Sequence, residues 1–173
     1  MKFITFLLIG LMSYLTPSYT SVAKESSNEH QFTVYLVRHA EKILEQKNPP
    51  LTSCGIERAE QLALMLEQAN IKAIYSTEFT RTEQTAAPLA NKLNLEVQPY
   101  SPRDLKSFAE KITQEKQNVV IVGHSNTTPQ LTAFIANTPV KDITEKEYQM
   151  LYQVHFSGNK AQLTLLKQPL ICQ

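Results

Sequence analysis

Thr33-Val34-Tyr35-Leu36-Val37-Arg38-His39-Ala40-Glu41-Lys42 changes character at its midpoint. Its first half is β-branched, aromatic or apolar, the composition of a parallel strand covered on both faces. Arg38, His39, Glu41 and Lys42 then follow at once. Open α/β sheets bind their ligands just outside the carboxyl ends of their strands, so this junction reads as the centre of a sheet and the rim of a site.

Working outward, residues 71–75, 95–97 and 118–122 supply three further strand-like runs. Helical spacing fills the gaps between them. Ile56, Ala59, Leu62, Ala63, Leu66 and Ala69 share one face after the hydroxyl caps of Leu51-Thr52-Ser53. A second helix begins near Phe79 or Thr80 and carries Arg81 in its first turn; Pro88 is expected to kink it or to sit where the preceding turn is irregular. Leu105, Phe108, Ala109 and Ile112 mark a third, and Thr128-Pro129 reads as N-cap and first residue of a fourth. Residues 43–50 form a loop, since Asn48-Pro49-Pro50 excludes helix. Residues 150–156 and 161–166, parted by Ser157-Gly158-Asn159, predict a terminal hairpin. The pattern is α/β: a three-layer α/β/α sandwich with a mostly parallel sheet and helices on both faces.

A chain of 173 residues with 42% hydrophobic content fits one core and one domain, taken as residues 24–173. Residues 1–23 are set apart as a signal peptide: Lys2, the apolar run Phe3 to Leu15, then small residues ending at Ser21-Val22-Ala23. That run is shorter than the roughly 20 residues a spanning helix needs, so cleavage after Ala23, a periplasmic or secreted location and no stable membrane anchor are expected. Removing Lys2 leaves sixteen basic and sixteen acidic residues, which argues against nucleic acid as a partner. Cys54 and Cys172 are compatible with either a disulfide or a buried free thiol.

Three strand ends deliver cationic or imidazole side chains: Arg38 and His39, Arg81, and His124. Guanidinium forks suit phosphate oxygens, and an imidazole can attack phosphorus or hydrogen-bond to it. Together they can position a phosphoryl group and stabilise its charge without a metal or other cofactor. Singly, each has a duller explanation as a core histidine or surface cation. The rival chemistries fit less well. Gly123-His124-Ser125-Asn126-Thr127 lacks the last glycine of a serine nucleophile elbow, and no His-x-x-x-His pair or cysteine cluster supplies zinc ligands.

These residues lie in motifs that resemble the histidine phosphatase superfamily, in its phosphoglycerate mutase-like branch. Leu36-Val37-Arg38-His39-Ala40-Glu41-Lys42, Leu51-Thr52 with Gly55, Tyr75 to Ala86, and Val122-Gly123-His124-Ser125 follow that family's order and spacing. The resemblance implies a phosphoglycerate mutase-like fold and a phosphohistidine intermediate on His39. It places Arg38, Arg81 and His124 around the phosphate and makes Thr52, Lys42 and Ser125 candidates for substrate contact. The implied partner is a phosphorylated small molecule or a phosphoprotein, and the alternative is a non-catalytic module that binds the same group. Two departures bear on activity. Ala40 stands where the family has glycine, and the expected proton donor has no clear motif, with Asp104 the nearest candidate and Glu41 the second. The insertion that forms a lid in the family's mutases is nearly absent between the third and fourth strands, which argues against mutase activity and for an open, shallow site.

Overall fold

A computed structural model describes residues 30–44 and 46–170. The proposed signal peptide, its cleavage site and Cys172 lie outside the described residues. The elements run β1 (Gln31–Arg38), α1 (Ser53–Leu66), β2 (Ala73–Ser76), α2 (Thr80–Leu93), β3 (Val97–Pro99), α3 (Leu105–Glu115), β4 (Val119–Gly123), α4 (Thr127–Ala136), β5 (Met150–Ser157) and β6 (Lys160–Lys167). They form one six-stranded sheet in the order β3-β2-β4-β1-β5-β6. Four strands are parallel, and β5 and β6 add an antiparallel edge. The three-layer expectation therefore describes the fold.

Alternation along the strands divides the core between two faces. Val34 and Leu36 of β1, with Tyr75 and Ile121, pack against Leu105, Phe108 and Ile112 of α3 and Leu131 and Ile135 of α4. Val37, Ile74, Val120 and Val122 meet Leu62 and Leu66 of α1 and Ala86, Leu89 and Ala90 of α2 on the other side. Fully burying a side chain of this kind contributes roughly 1.5–3 kcal/mol. The sandwich thus fixes the central strands, and through them the rim where β1, β2 and β4 end.

Local boundaries depart from expectation in ways that matter at this rim. β1 runs one residue further than the apolar run, through Arg38, because Arg38 pairs with Gly123 across the β1–β4 ladder. The third strand sits at 97–99 rather than 95–97. α2 runs Thr80–Leu93 with Pro88 inside it, as expected of a helix that contains this proline. Thr128 is not the N-cap of the fourth helix. That helix starts at Thr127, whose hydroxyl oxygen accepts from the backbone N–H of His124 at 3.1 Å. Cys54, in the first turn of α1, is disulfide-bonded rather than a free thiol.

The excursion after β1 is a loop, as its prolines require. It is closed by a bridge between Lys42 and Leu51 and by the Ile43 N–H donating to Pro50 O at 2.9 Å. Gly55 then lets α1 lie directly on the backbone of Glu41, for a Cβ there would collide with the Glu41 carbonyl oxygen.

Candidate active site

Arg38 and His39 are 1% and 3% exposed at the end of β1. The His39 N–H donates to Gly123 O at 2.9 Å, extending the β1–β4 ladder past the strand and locking the residue's backbone. Its ring Nδ1 lies 2.8 Å from the carbonyl oxygen of Ala40. A carbonyl can only accept, so Nδ1 carries the proton and Nε2 keeps its lone pair. Burial, opposed in part by that backbone hydrogen bond and helped by the charges of Arg38 and Arg81, lowers the His39 pKa to about 3. The imidazole is neutral at ordinary pH, the form a nucleophile needs.

His124 follows β4 and is fixed from both nitrogens. Arg81, in the first turn of α2, donates from Nη2 to Nδ1 at 3.3 Å, and Nε2 lies 2.9 Å from Thr77 Oγ1. The Nε2 proton therefore points to Thr77, whose hydroxyl sits 3.0 Å from that of Thr82. Thr82 in turn donates to the carbonyls of Thr77 and Phe79, at 2.7 and 2.8 Å. Burial first, then the charges of Arg81 and Arg38, lower the His124 pKa to about 4. The two imidazoles lie 5.6 Å apart, centroid to centroid.

His39, Lys42, Phe79, Arg81, Pro102, His124, Ser125, Asn126, Thr127 and Glu145 line a cleft of about 400 Å³. Buried N–H groups at Arg38 Nε and Arg81 Nε have no hydrogen-bond partner among the described residues. Arg81 brings a positive charge to the cleft wall with Arg38 close behind it, an arrangement whose field favours an anion. Among the described residues no group of three His, Cys, Asp or Glu side chains is placed to hold a metal ion.

The structure thus brings together Arg38, His39, Arg81 and His124, with Lys42 and Ser125 on the cleft wall. It does not bring in Asp104. That carboxylate is the N-cap of α3, accepting from the Ser107 N–H at 3.2 Å, and lies outside the cleft. Thr52 is likewise a cap rather than a wall residue: its Oγ1 accepts from the Gly55 N–H at 3.1 Å. Glu41 is engaged elsewhere, gripping the buried Arg58 of α1 through Nε at 3.0 and 2.8 Å and Nη2 at 2.6 Å.

The residue that sequence reasoning missed is Glu145. It sits in the connection from α4 to β5, reaches Arg38 Nη2 at 2.7 Å, and accepts from the hydroxyl of Ser125. Hydrogen bonding from Ser125 above all, opposed by burial and helped by the charge and hydrogen bond of Arg38, holds its carboxyl below the ordinary range. It is the one carboxylate among the described residues that line the cleft. Tyr148, from the same connection, lies under the Arg38 guanidinium at 4.1 Å and 5.9 Å from the His39 ring.

Comparison with known proteins points the same way as the geometry. Residues 34–101 match the histidine phosphatase superfamily (branch 1). The chain is 38% identical over 71 residues to a probable phosphoglycerate mutase of Proteus mirabilis strain HI4320, an overlap of 37% of this chain and 33% of that protein. The match therefore spans a third of that relative's length. Among solved structures, the protein histidine phosphatase SixA complexed with tungstate superimposes with a TM-score of 0.63 at 19% identity, over 79% of this chain and 97% of that one. The α-ribazole phosphatase of Shigella flexneri gives 0.65 at 16% identity, over 82% and 98%. A mycobacterial glucosyl-3-phosphoglycerate phosphatase gives 0.62 at 14%, over 79% and 98%.

Proposed function

We propose that this chain, which belongs to the histidine phosphatase superfamily, is an exported, metal-independent phosphatase that hydrolyses phosphomonoesters or a phosphorylated protein through a phosphohistidine on His39. The observation that carries the reading is the convergence, from three separate strand ends, of His39, His124 and Arg81 on one cleft, with Arg38 buried behind it and joined to its wall through Glu145.

The chemistry follows from the hydrogen bonds. The His39 Nε2 lone pair forms the P–N bond as the bond from phosphorus to the leaving oxygen breaks, and that oxygen departs with the electron pair. The Nδ1 proton, already directed at Ala40 O, spreads the positive charge that develops on the ring. Arg38 and Arg81 face the non-bridging oxygens, where transition-state charge is concentrated. Water then attacks phosphorus, the P–N bond breaks back onto the imidazole, and inorganic phosphate leaves.

Substrate class is constrained by proton donation. Asp104 and Glu41 are committed to other partners, and Glu145 is held ionised, so leaving groups that depart without protonation are favoured: phosphorylated imidazoles, acyl phosphates and activated esters. Two features support export. The N-terminal segment 1–23 has the signal pattern, and Cys54 is in a disulfide, a bond that persists in oxidising compartments.

The test is to incubate the protein, with and without a chelator, with a chromogenic phosphomonoester and with a phosphohistidine peptide. Chelator-resistant turnover, an acid-labile phosphoenzyme and loss of both in His39→Ala are expected. Phosphate binding without turnover or phosphoenzyme refutes the enzyme and leaves a binding module.

A further inference from the structure

Glu145 holds one edge of the Arg38 guanidinium at the cleft wall. Its Oε2 lies 2.7 Å from Arg38 Nη2, its Oε1 accepts from Ser125, and it shares the cleft with His39, Lys42, Arg81 and His124. The side chain is 74% exposed, so swinging it into water sacrifices little packing. The backbone beneath it is braced independently. Thr144 N–H donates to Glu147 Oε2 at 2.8 Å, Glu147 N–H returns to Thr144 O at 3.1 Å, and the carbonyls of Thr144 and Glu147 accept from Arg38 Nη1 at 3.1 and 3.3 Å. None of these four bonds uses the Glu145 carboxylate.

We infer that Glu145 is an internal ligand of the phosphate cup: the incoming phosphoryl group displaces it from Arg38, and its return helps to expel product phosphate. The inference rests on the phosphatase reading of the cleft. Two anions cannot share one guanidinium edge in a half-buried site without strong repulsion, whereas exchanging one for the other keeps Arg38 neutralised throughout. Because Arg38 stays clamped by two carbonyls and the face of Tyr148, it is presented in the same place whichever anion it holds. The exchange weakens substrate and product alike, so it raises KM and relieves product inhibition together.

The experiment titrates the full chain with inorganic phosphate by calorimetry and measures KM and kcat for the wild type, Glu145→Gln and Glu145→Ala. Gln keeps the shape and removes the charge; Ala removes both. Phosphate should bind at least about ten times more tightly to both variants, equivalent to about 1.4 kcal/mol, with KM falling in parallel and kcat level or lower. Unchanged or weaker phosphate binding by Glu145→Ala overturns the inference. So does tightening in Ala but not Gln, which would assign the effect to bulk, and so does a collapse of kcat in Gln at unchanged phosphate affinity, which would make Glu145 a proton donor. Arg81→Ala in the Glu145→Ala background separates the two layers of argument. If it abolishes tight binding, the cup is the phosphate site; if neither wild type nor any variant binds phosphate, the phosphatase reading falls with the inference.

Discussion

Acidification should destabilise this protein through its two site histidines before its carboxylates contribute. In the unfolded chain both imidazoles titrate near 6.5; in the fold burial, with the charges of the nearby arginines acting in the same direction, lowers His39 to about 3 and His124 to about 4. Between those values and 6.5 the unfolded state takes up protons that the folded state refuses, so stability is complete above 6.5 and falls as pH drops. Each histidine removes at most about 1.4 kcal/mol per pH unit, or about 2 kcal/mol each and about 4 kcal/mol together at pH 5. Glu145 and Glu147, whose pKa values are lowered from 4.5, add their own loss only below that value, so the interval from 6.5 to 5 isolates the imidazoles. Urea midpoints at pH 7.5 and 5 should therefore differ sharply in the wild type, and His39→Asn or His124→Asn should each remove about half the difference. Inorganic phosphate should restore much of the stability at pH 5, since a bound anion favours the imidazolium. The nucleophile follows the same arithmetic. At pH 5 an ordinary histidine is about 3% neutral and one with a pKa of about 3 is about 99% neutral, a gain of about thirty-fold. A histidine ring proton resonance assigned to residue 39 that titrates near 6.5, or urea midpoints that coincide at pH 6.5 and 5, would refute the reasoning.

Asp104→Ala should lower stability by about 1 kcal/mol through loss of the α3 cap while kcat/KM stays within a factor of two, as read by urea melts and steady-state kinetics. Glu41→Ala takes three charge-assisted hydrogen bonds from the buried Arg58 and should cost about 3 kcal/mol. Its thermal melting point reports that loss, and a fall in kcat of several orders of magnitude in the folded fraction would instead restore Glu41 as the proton donor. Gly55→Ala drives a methyl into the Glu41 carbonyl and should destabilise the fold by about 1–3 kcal/mol; an unchanged urea midpoint would show that α1 can shift away from the loop.

What could be seen in the sequence was what short-range chemistry determines. The strand of Thr33 to Val37 announces itself by composition, and Arg38 ends its strand while His39 and His124 follow theirs so closely that the sheet alone carries them to one rim. Asp104 and Thr52 show how one residue type can serve two readings. A short polar side chain just before an apolar-periodic run is a helix-cap signal, and at both positions the cap is what the carboxylate or hydroxyl does. Glu41 and Arg58 are seventeen positions apart, and only the docking of α1 on the loop makes them a pair. Glu145 was hidden for a topological reason. Residues 141–149 have no periodicity, and the terminal hairpin could be foreseen without knowing which strand it would join.

That missing neighbour explains the site's construction. β5 pairs antiparallel with β1, matching Leu36 to Tyr152 and Val37 to Leu151, so its leading end lies beside the trailing end of β1. The turn that feeds β5 must then pass over Arg38. A parallel strand in the same place would have brought its own carboxyl end there, and the carbonyls of Thr144 and Glu147 would have had no reason to meet the guanidinium. Arg38 is consequently embedded at 1% exposure between backbone acceptors, the Tyr148 ring and Glu145, three restraints of which only the last is a charge. The neutral restraints fix where the arginine points, while the charge it carries stays available to whichever anion reaches it.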